Sequence, residues 1–272
     1  MACSSTVQEQ KWYAIREVSE LTGVKPVTLR AWQRRYNLIK PHRTEKGHRL
    51  YSEANIEHIR LIQSWLAKGV AIGKVRALLE SPSEQAKVIE APNQLAEVDE
   101  LLDSLARLQR GKAEAVIART FKEYPIDIAE AAFVQPIQTA LSHMSKAQRS
   151  LQTGLFQSLM MAKLSAILEA ENRAAHKGHC LLVNHEDSGH IGAWIWAIQL
   201  AGQGLKVTVL DGVADFRGLV DHLGLTDYQQ LAIYANHSLV ATQRKALETL
   251  AHSLQVRCSP VLEQLLVQGE DQ

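Results

Sequence analysis

Cysteine is scarce in this sequence. Its 272 residues hold three, Cys3, Cys180 and Cys258, far apart and in no paired spacing. That excludes a cysteine metal cluster and a disulfide framework, and it fits a reducing, cytoplasmic setting. Long apolar runs are missing as well. No stretch approaches the roughly eighteen residues that a membrane-spanning helix needs, so no membrane partner is expected. The opening MACSSTVQEQ (1–10) lacks the basic start and apolar middle of a secretion signal and reads as a disordered lead. Nucleophile, base and acid never come together in a catalytic pattern, which argues against an enzyme. His185-Glu186-Asp187-Ser188-Gly189-His190 has its histidines five apart with a glycine between them. A zinc-protease helix needs them four apart, so no metal is expected there.

What is present is a lopsided charge. The net value of +1 conceals 14 Lys+Arg against 6 Asp+Glu over 11–80, and 16 against 22 over 81–272. A basic module followed by an acidic remainder is the pattern of a chain in which one part meets phosphates and the other does not.

The pattern of residues divides the chain. After the lead, 11–80 is basic and helical. The stretch 81–92 (SPSEQAKVIEAP) has two prolines, no strong apolar face, and reads as a linker. The stretch 93–177 is nearly free of glycine and rich in Leu and Ala. Apolar residues at helical spacing (Leu95, Val98, Leu102, Leu105, Leu108) begin a set of four helices, the others over 112–123, 126–143 and 148–176. Short connections between them suggest an antiparallel four-helix bundle. From 178 to 272 short apolar runs alternate with helical ones. CLLVN (180–184), KVTVL (206–210), QLAIYA (230–235) and QVRCS read as buried strands, with helices over IGAWIWAIQLAGQG, ADFRGLVDHLG and SLVATQRKALETLAHSL. Such alternation implies a small, doubly wound parallel sheet. The expected fold is therefore multidomain, α then α/β.

The basic segment repays a slower reading. YAIREVSELTG (13–23) makes one short helix and its turn. Pro26 opens a second, VTLRAWQRRYNL, with Leu29, Trp32 and Tyr36 on one face and Thr28, Arg30, Arg34 and Arg35 on the others. LIKPHRTEKGHRLYS (38–52) has two β-like arms around Glu45-Lys46-Gly47, with Lys40, His42, Arg43, His48 and Arg49 along them. A basic hairpin of this kind can lie on a phosphate backbone. Two more helices follow, over 54–69 and 71–81.

The run TLRAWQRRYNLIKPHRTEKGHRLYS (28–52) resembles the signature of the MerR family of bacterial regulators, and the likeness extends over 11–80. The resemblance implies a winged helix-turn-helix on double-stranded DNA, with the helix from Pro26 in the major groove and the wing around Arg43 and Arg49 on the adjacent backbone. It implies a homodimer on an inverted-repeat promoter site, activation by distorting an overlong promoter spacer, and RNA polymerase as an indirect partner. The candidate DNA contacts are Lys25, Thr28, Arg30, Arg34, Arg35, Arg43, His48, Arg49 and Tyr51. Arg30 and Arg34 suit bases or phosphates; Arg35, Arg43, Arg49 and Tyr51 suit phosphates. Trp32, Leu50 and Ile56 are assigned to the core.

The layout behind the head resembles a branch of the same family that carries a helical bundle and a cobalamin-binding α/β domain. The signature of that domain is Asp/Glu-x-His-x-x-Gly after its first strand, with the histidine on cobalt. Here Asp187 and Gly192 match, but the ligand position is Gly189 and His190 comes one residue late. Glycine cannot coordinate cobalt, so the site reads as degenerate and no cofactor is expected, cobalamin included. The better resemblance is to the MlrA-type branch, with its divergent cobalamin-domain-like tail. That implies control of biofilm-matrix (curli-type) genes, with cyclic-di-GMP-metabolising enzymes as protein partners. The alternative is a tail that senses a small molecule, cobalamin or a cyclic dinucleotide.

Overall fold

The computed structural model describes residues 11–80 and 94–270, and the side chains up to 268. The lead over 1–10 and the linker over 81–92 lie outside the described residues. The chain divides into two compact units, Met1–Gln152 and Thr153–Gln272. Among the described residues no helix is long and apolar enough to cross a membrane.

The first unit begins with a three-residue strand, β1 (Trp12–Ala14), then α1 (Ile15–Thr22) and α2 (Pro26–Tyr36). The sequence reading ran α1 back over β1. A strand this short has no period of its own and exists only because it pairs with β3, 38 positions along at Tyr13↔Tyr51. Helix α1 is closed locally: the Glu17 carboxylate accepts from the Ala14 N–H at 2.6 Å, and Gly23 caps the other end at φ +72°. Pro26 starts α2 and Asn37 ends it in the left-handed region, at φ 51°. The hairpin is β2 (His42–Arg43) and β3 (Arg49–Ser52), and β3 lies between β1 and β2. Helices α3 (Glu53–Ala67) and α4 (Ile72–Glu80) follow. Val18, Leu29, Trp32, Tyr51, Ile56 and Ile59 form the centre of this module and are fully buried. Trp32 and Ile56 are thus core as expected; Leu50 is only half-buried.

The middle of the chain is helical: α5 (Glu97–Ala106), α6 (Arg110–Glu123), α7 (Ile126–Ala129), a π turn (Glu130–Val134), α8 (Gln135–Ser142) and α9 (Lys146–Ala174), which lies mostly in the second unit.

The second unit holds a four-stranded, all-parallel sheet of β4 (His179–Asn184), β5 (Lys206–Leu210), β6 (Gln230–Tyr234) and β7 (Gln255–Cys258), in the order β5-β4-β6-β7. All four expected strands are present. They are apolar runs because a parallel sheet is covered on both faces. Edge strand β5 is capped by the Asn172 amide, which both donates to and accepts from the Val207 backbone at 2.9 and 2.8 Å. Helices α10 (Ile191–Gly202), α11 (Ala241–Ala251) and α12 (Pro260–Glu270) complete the unit. The helix expected over 214–224 is instead two short 3₁₀ turns, Phe216–Leu219 and Leu223–Asp227. Local caps win there. Asp215 accepts from the Arg217 N–H at 3.0 Å, the His222 ring takes the Gly224 N–H at 3.0 Å, and Asp221 sits at φ 59°.

Candidate nucleic-acid interface and the edge of the parallel sheet

Helix α2 has two opposed faces. At about 100° per residue, Arg30 and Arg34 lie roughly 180° from the centre of Thr28, Trp32, Arg35 and Tyr36. The second group faces inward. Trp32 is fully buried and its indole N–H donates to the Glu123 carbonyl at 2.7 Å. Arg30 and Arg34 are exposed, and their side chains have no hydrogen-bond or ion-pair partner among the described residues.

The wing stands beside that outer face. Gly47, at φ +80°, turns the hairpin, and the Thr44 N–H donates to the His48 carbonyl at 2.9 Å. Arg43 and Arg49 are direct cross-strand partners. Two like charges directly opposite each other repel, which a phosphate between them would relieve. The Arg49 guanidinium donates to the Gln33 side chain of α2 at 2.8 Å. That bond ties wing to helix, and Gln33 carried no signal that sequence reasoning could use. His42 packs on Trp12 of β1 with ring centroids 5.2 Å apart.

Of the nine residues taken as DNA contacts, Arg30, Arg34, Arg43 and His48 are exposed and Lys25 and Arg49 half-exposed. Two need correction. Thr28 is 1% exposed on the inner face of α2. Tyr51 is wholly buried at the centre of the three-stranded sheet, and burial holds its hydroxyl above the ordinary phenol range. Arg35, the ninth, is exposed as well, and its guanidinium is paired with Glu123. The helical period alone did not show which side of α2 the middle helices cover.

Residues 13–82 match the family described as MerR HTH family regulatory protein. The chain is 31% identical to the HTH-type transcriptional regulator MlrA of Escherichia coli strain K12 over 201 residues, 73% of this chain and 79% of that protein. The MlrA of Salmonella typhimurium strain LT2 gives the same figures. The chain belongs to the MerR family, as an MlrA-like regulator. A more distant relative is the HTH-type transcriptional repressor CarH of Myxococcus xanthus, 23% identical over 74% of this chain and 71% of that protein. MerR-family regulators bind DNA and typically dimerise.

In this MlrA-like chain the second place to look for a site is the carboxyl edge of the sheet. The connections from β4 and β6 run in opposite directions, which opens a crevice beyond their ends where ligands of such folds bind. Here polar groups at the crevice bond to one another. The Asp211 carboxylate, after β5, accepts from the Asn184 amide at 2.7 Å, the Ser188 hydroxyl at 3.0 Å and the Gly189 N–H at 2.8 Å. Glu186, after β4, accepts from the Asn236 N–H and meets the His237 ring at 3.2 Å, bridging to the loop after β6. His185 donates from Nδ1 to the Val213 carbonyl at 2.7 Å. Asp211 carried no signal in the sequence, and Glu186 stood out only within the rejected zinc-protease pattern.

Cobalamin does not fit these residues. Gly189 sits at φ +78°, and a Cβ placed there would lie 2.7 Å from the Gln157 amide, which itself donates to the Gly189 carbonyl. A ligand side chain at that position would be strained and would have to displace the Gln157 amide from its bond to the Gly189 carbonyl. At Gly192 a Cβ would run into the Tyr234 hydroxyl. His190 stacks near Tyr234, ring centroids 5.2 Å apart, at the N-terminus of α10. Asp187 is exposed. Among the described residues no group of three His, Cys, Asp or Glu side chains is arranged to hold a metal ion.

Proposed function

We propose that this chain is a sequence-specific, double-stranded-DNA-binding transcription activator that works as a cytoplasmic homodimer on an inverted-repeat promoter site. The observation that carries the reading is the bond from Arg49 of the wing to Gln33 of α2, which joins Arg30, Arg34, Arg43 and Arg49 into one basic surface. Lys25 and His48 lie at its margins. The arginines of α2 suit the major groove and those of the wing suit the flanking phosphates. Domain limits of 11–80 for the head, 93–177 for a four-helix bundle and 178–272 for the α/β tail belong to the same proposal. Likeness to the MlrA branch supports control of biofilm-matrix genes, RNA polymerase as an indirect partner, and a tail that receives its signal from cyclic-di-GMP-metabolising enzymes. The mutual bonding of the crevice's polar groups supports a tail that meets proteins rather than small molecules.

Genome-wide mapping of bound DNA tests this directly. An inverted repeat enriched at promoters supports it, and the absence of any enriched motif overturns it. A rival reading, a small-molecule sensor, draws on the retained Asp187 and Gly192. It also draws on two buried ring nitrogens, His190 Nδ1 and Trp194 Nε1, that have no partner among the described residues. A cobalamin absorbance spectrum on the protein after incubation would favour it.

A further inference from the structure

Glu123 ends α6 and is 1% exposed. Both of its carboxylate oxygens and its backbone carbonyl accept from α2. One carboxylate oxygen pairs with the Arg35 guanidinium, and the other accepts from the Tyr36 hydroxyl at 2.5 Å. Its backbone carbonyl takes the Trp32 indole N–H at 2.7 Å. These three donors sit at i, i+3 and i+4, one stripe of the helix. The next residue, Tyr124, does the same for α4: its hydroxyl accepts the Ile72 N–H at 3.2 Å, one of the N–H groups that a helix start leaves without a helical partner. The same hydroxyl donates to Glu97 at 3.4 Å.

We infer that Glu123 is a positioning residue for DNA binding, through which the middle helices set the orientation of α2, and that Arg35 serves DNA binding by way of Glu123 rather than by holding a phosphate. This rests on the DNA-binding reading above. The asymmetry of the pair decides it. Arg35 has a side chain 49% exposed and could turn to solvent at little cost. Glu123 could not, because a buried carboxylate that loses its cation keeps the full desolvation cost. Moving Arg35 to a phosphate would leave Glu123 with Tyr36 and, as its one remaining described cation, Arg119, whose guanidinium is already bonded to Glu100. The stripe also lies opposite Arg30 and Arg34, so α2 is gripped from behind while its outer face stays open. A shift of the end of α6 would therefore carry the outer arginines with it.

The test uses the full-length protein and an operator duplex recovered by genome mapping, with binding followed by fluorescence anisotropy across a salt series. The variants are E123Q, R35Q, the double variant and, as a milder probe that removes one hydroxyl, Y36F. The expected result is that E123Q and R35Q each weaken binding by about tenfold, with the salt slope unchanged. The double variant is no worse than the poorer single one. E123Q also loses preference between operators whose half-sites are moved apart by one base pair, which a residue that only stabilises the fold would not affect. If E123Q does not fold, Y36F decides, with a smaller loss, unchanged slope and the same loosened spacing preference. The inference is overturned if R35Q lowers the slope by about 0.9, the signature of one lost phosphate contact, while E123Q or Y36F binds as the unaltered protein does. If the unaltered protein binds no duplex, the DNA-binding reading itself fails.

Discussion

Two surfaces of this chain are rich in polar and charged groups, and they are built in opposite ways. On the outer side of α2 and the wing, Arg30, Arg34 and Arg43 have no described partner, and Arg43 faces Arg49 across the hairpin. At the carboxyl edge of the parallel sheet, Asn184, Asp211, Ser188, Glu186, Asn236 and His237 bond to one another. The first arrangement leaves charge that an external anion would satisfy. In the second these six residues satisfy one another, with His190 Nδ1 beside them left unmatched, and a ligand would have to replace those bonds before gaining any of its own. The comparison teaches that a fold-typical crevice is a site only while its polar groups are unmatched.

The contrast can be broken most sharply on the basic surface. Replacing Arg30 and Arg34 together by Ala removes two contacts worth about 1–3 kcal/mol each and lowers operator affinity by a hundredfold or more. A gel-shift titration showing affinity within a few-fold of the unaltered protein would mean that α2 does not read the groove. At the sheet edge the expected damage is to stability and not to DNA contact. Asp211→Ala strips a fully buried Asn184 amide of its carboxylate and costs about 2 kcal/mol. Thermal unfolding should show the second unit melting earlier, and an unshifted melt would mean that the edge is not held closed by this carboxylate.

Gly189→His restores the residue type of the family's cobalt ligand. It should cost about 1–2 kcal/mol for the left-handed backbone at that position and should gain no cobalamin spectrum, because the new side chain must strain the backbone and displace the Gln157 amide before it can reach a ligand. A pink protein would show instead that the crevice opens readily. Arg49→Ala should weaken DNA binding by several-fold and reduce the salt slope by about 0.9; an unchanged slope would limit Arg49 to holding the wing against Gln33. The smallest effect concerns thiols. Burial pushes Cys180 up to about 11, so at neutral pH its reactive thiolate is rare and an alkylating reagent should label it only after unfolding. Rapid labelling of the folded protein at Cys180, seen by peptide mass, would contradict the packing of β4.

What could be read in advance and what could not divide along the same line. The parallel strands were legible because each is a continuous apolar run bounded by turns, and α2 because Pro26 and its apolar stripe mark it locally. The strand β1 was not, since three residues have no period and are held by a partner elsewhere in the chain. The helix expected over 214–224 failed because Asp215 and His222 cap their own backbones, a competition that hydrophobic spacing does not reveal.

By itself the sequence determined the helix, wing and sheet, because the physics that makes them acts within a few residues: caps, turn glycines and apolar periods. It also determined the basic head and put a glycine, Gly189, where the cobalamin-domain signature has its histidine. Only the tertiary structure decided which side of α2 is available, since the partner of Arg35 is Glu123, 88 positions away. The mutual bonding at the crevice is equally a tertiary matter, made where loops from three strands converge. Both outcomes depend on which polar groups find one another on folding, and buried groups that find partners no longer offer themselves to a ligand.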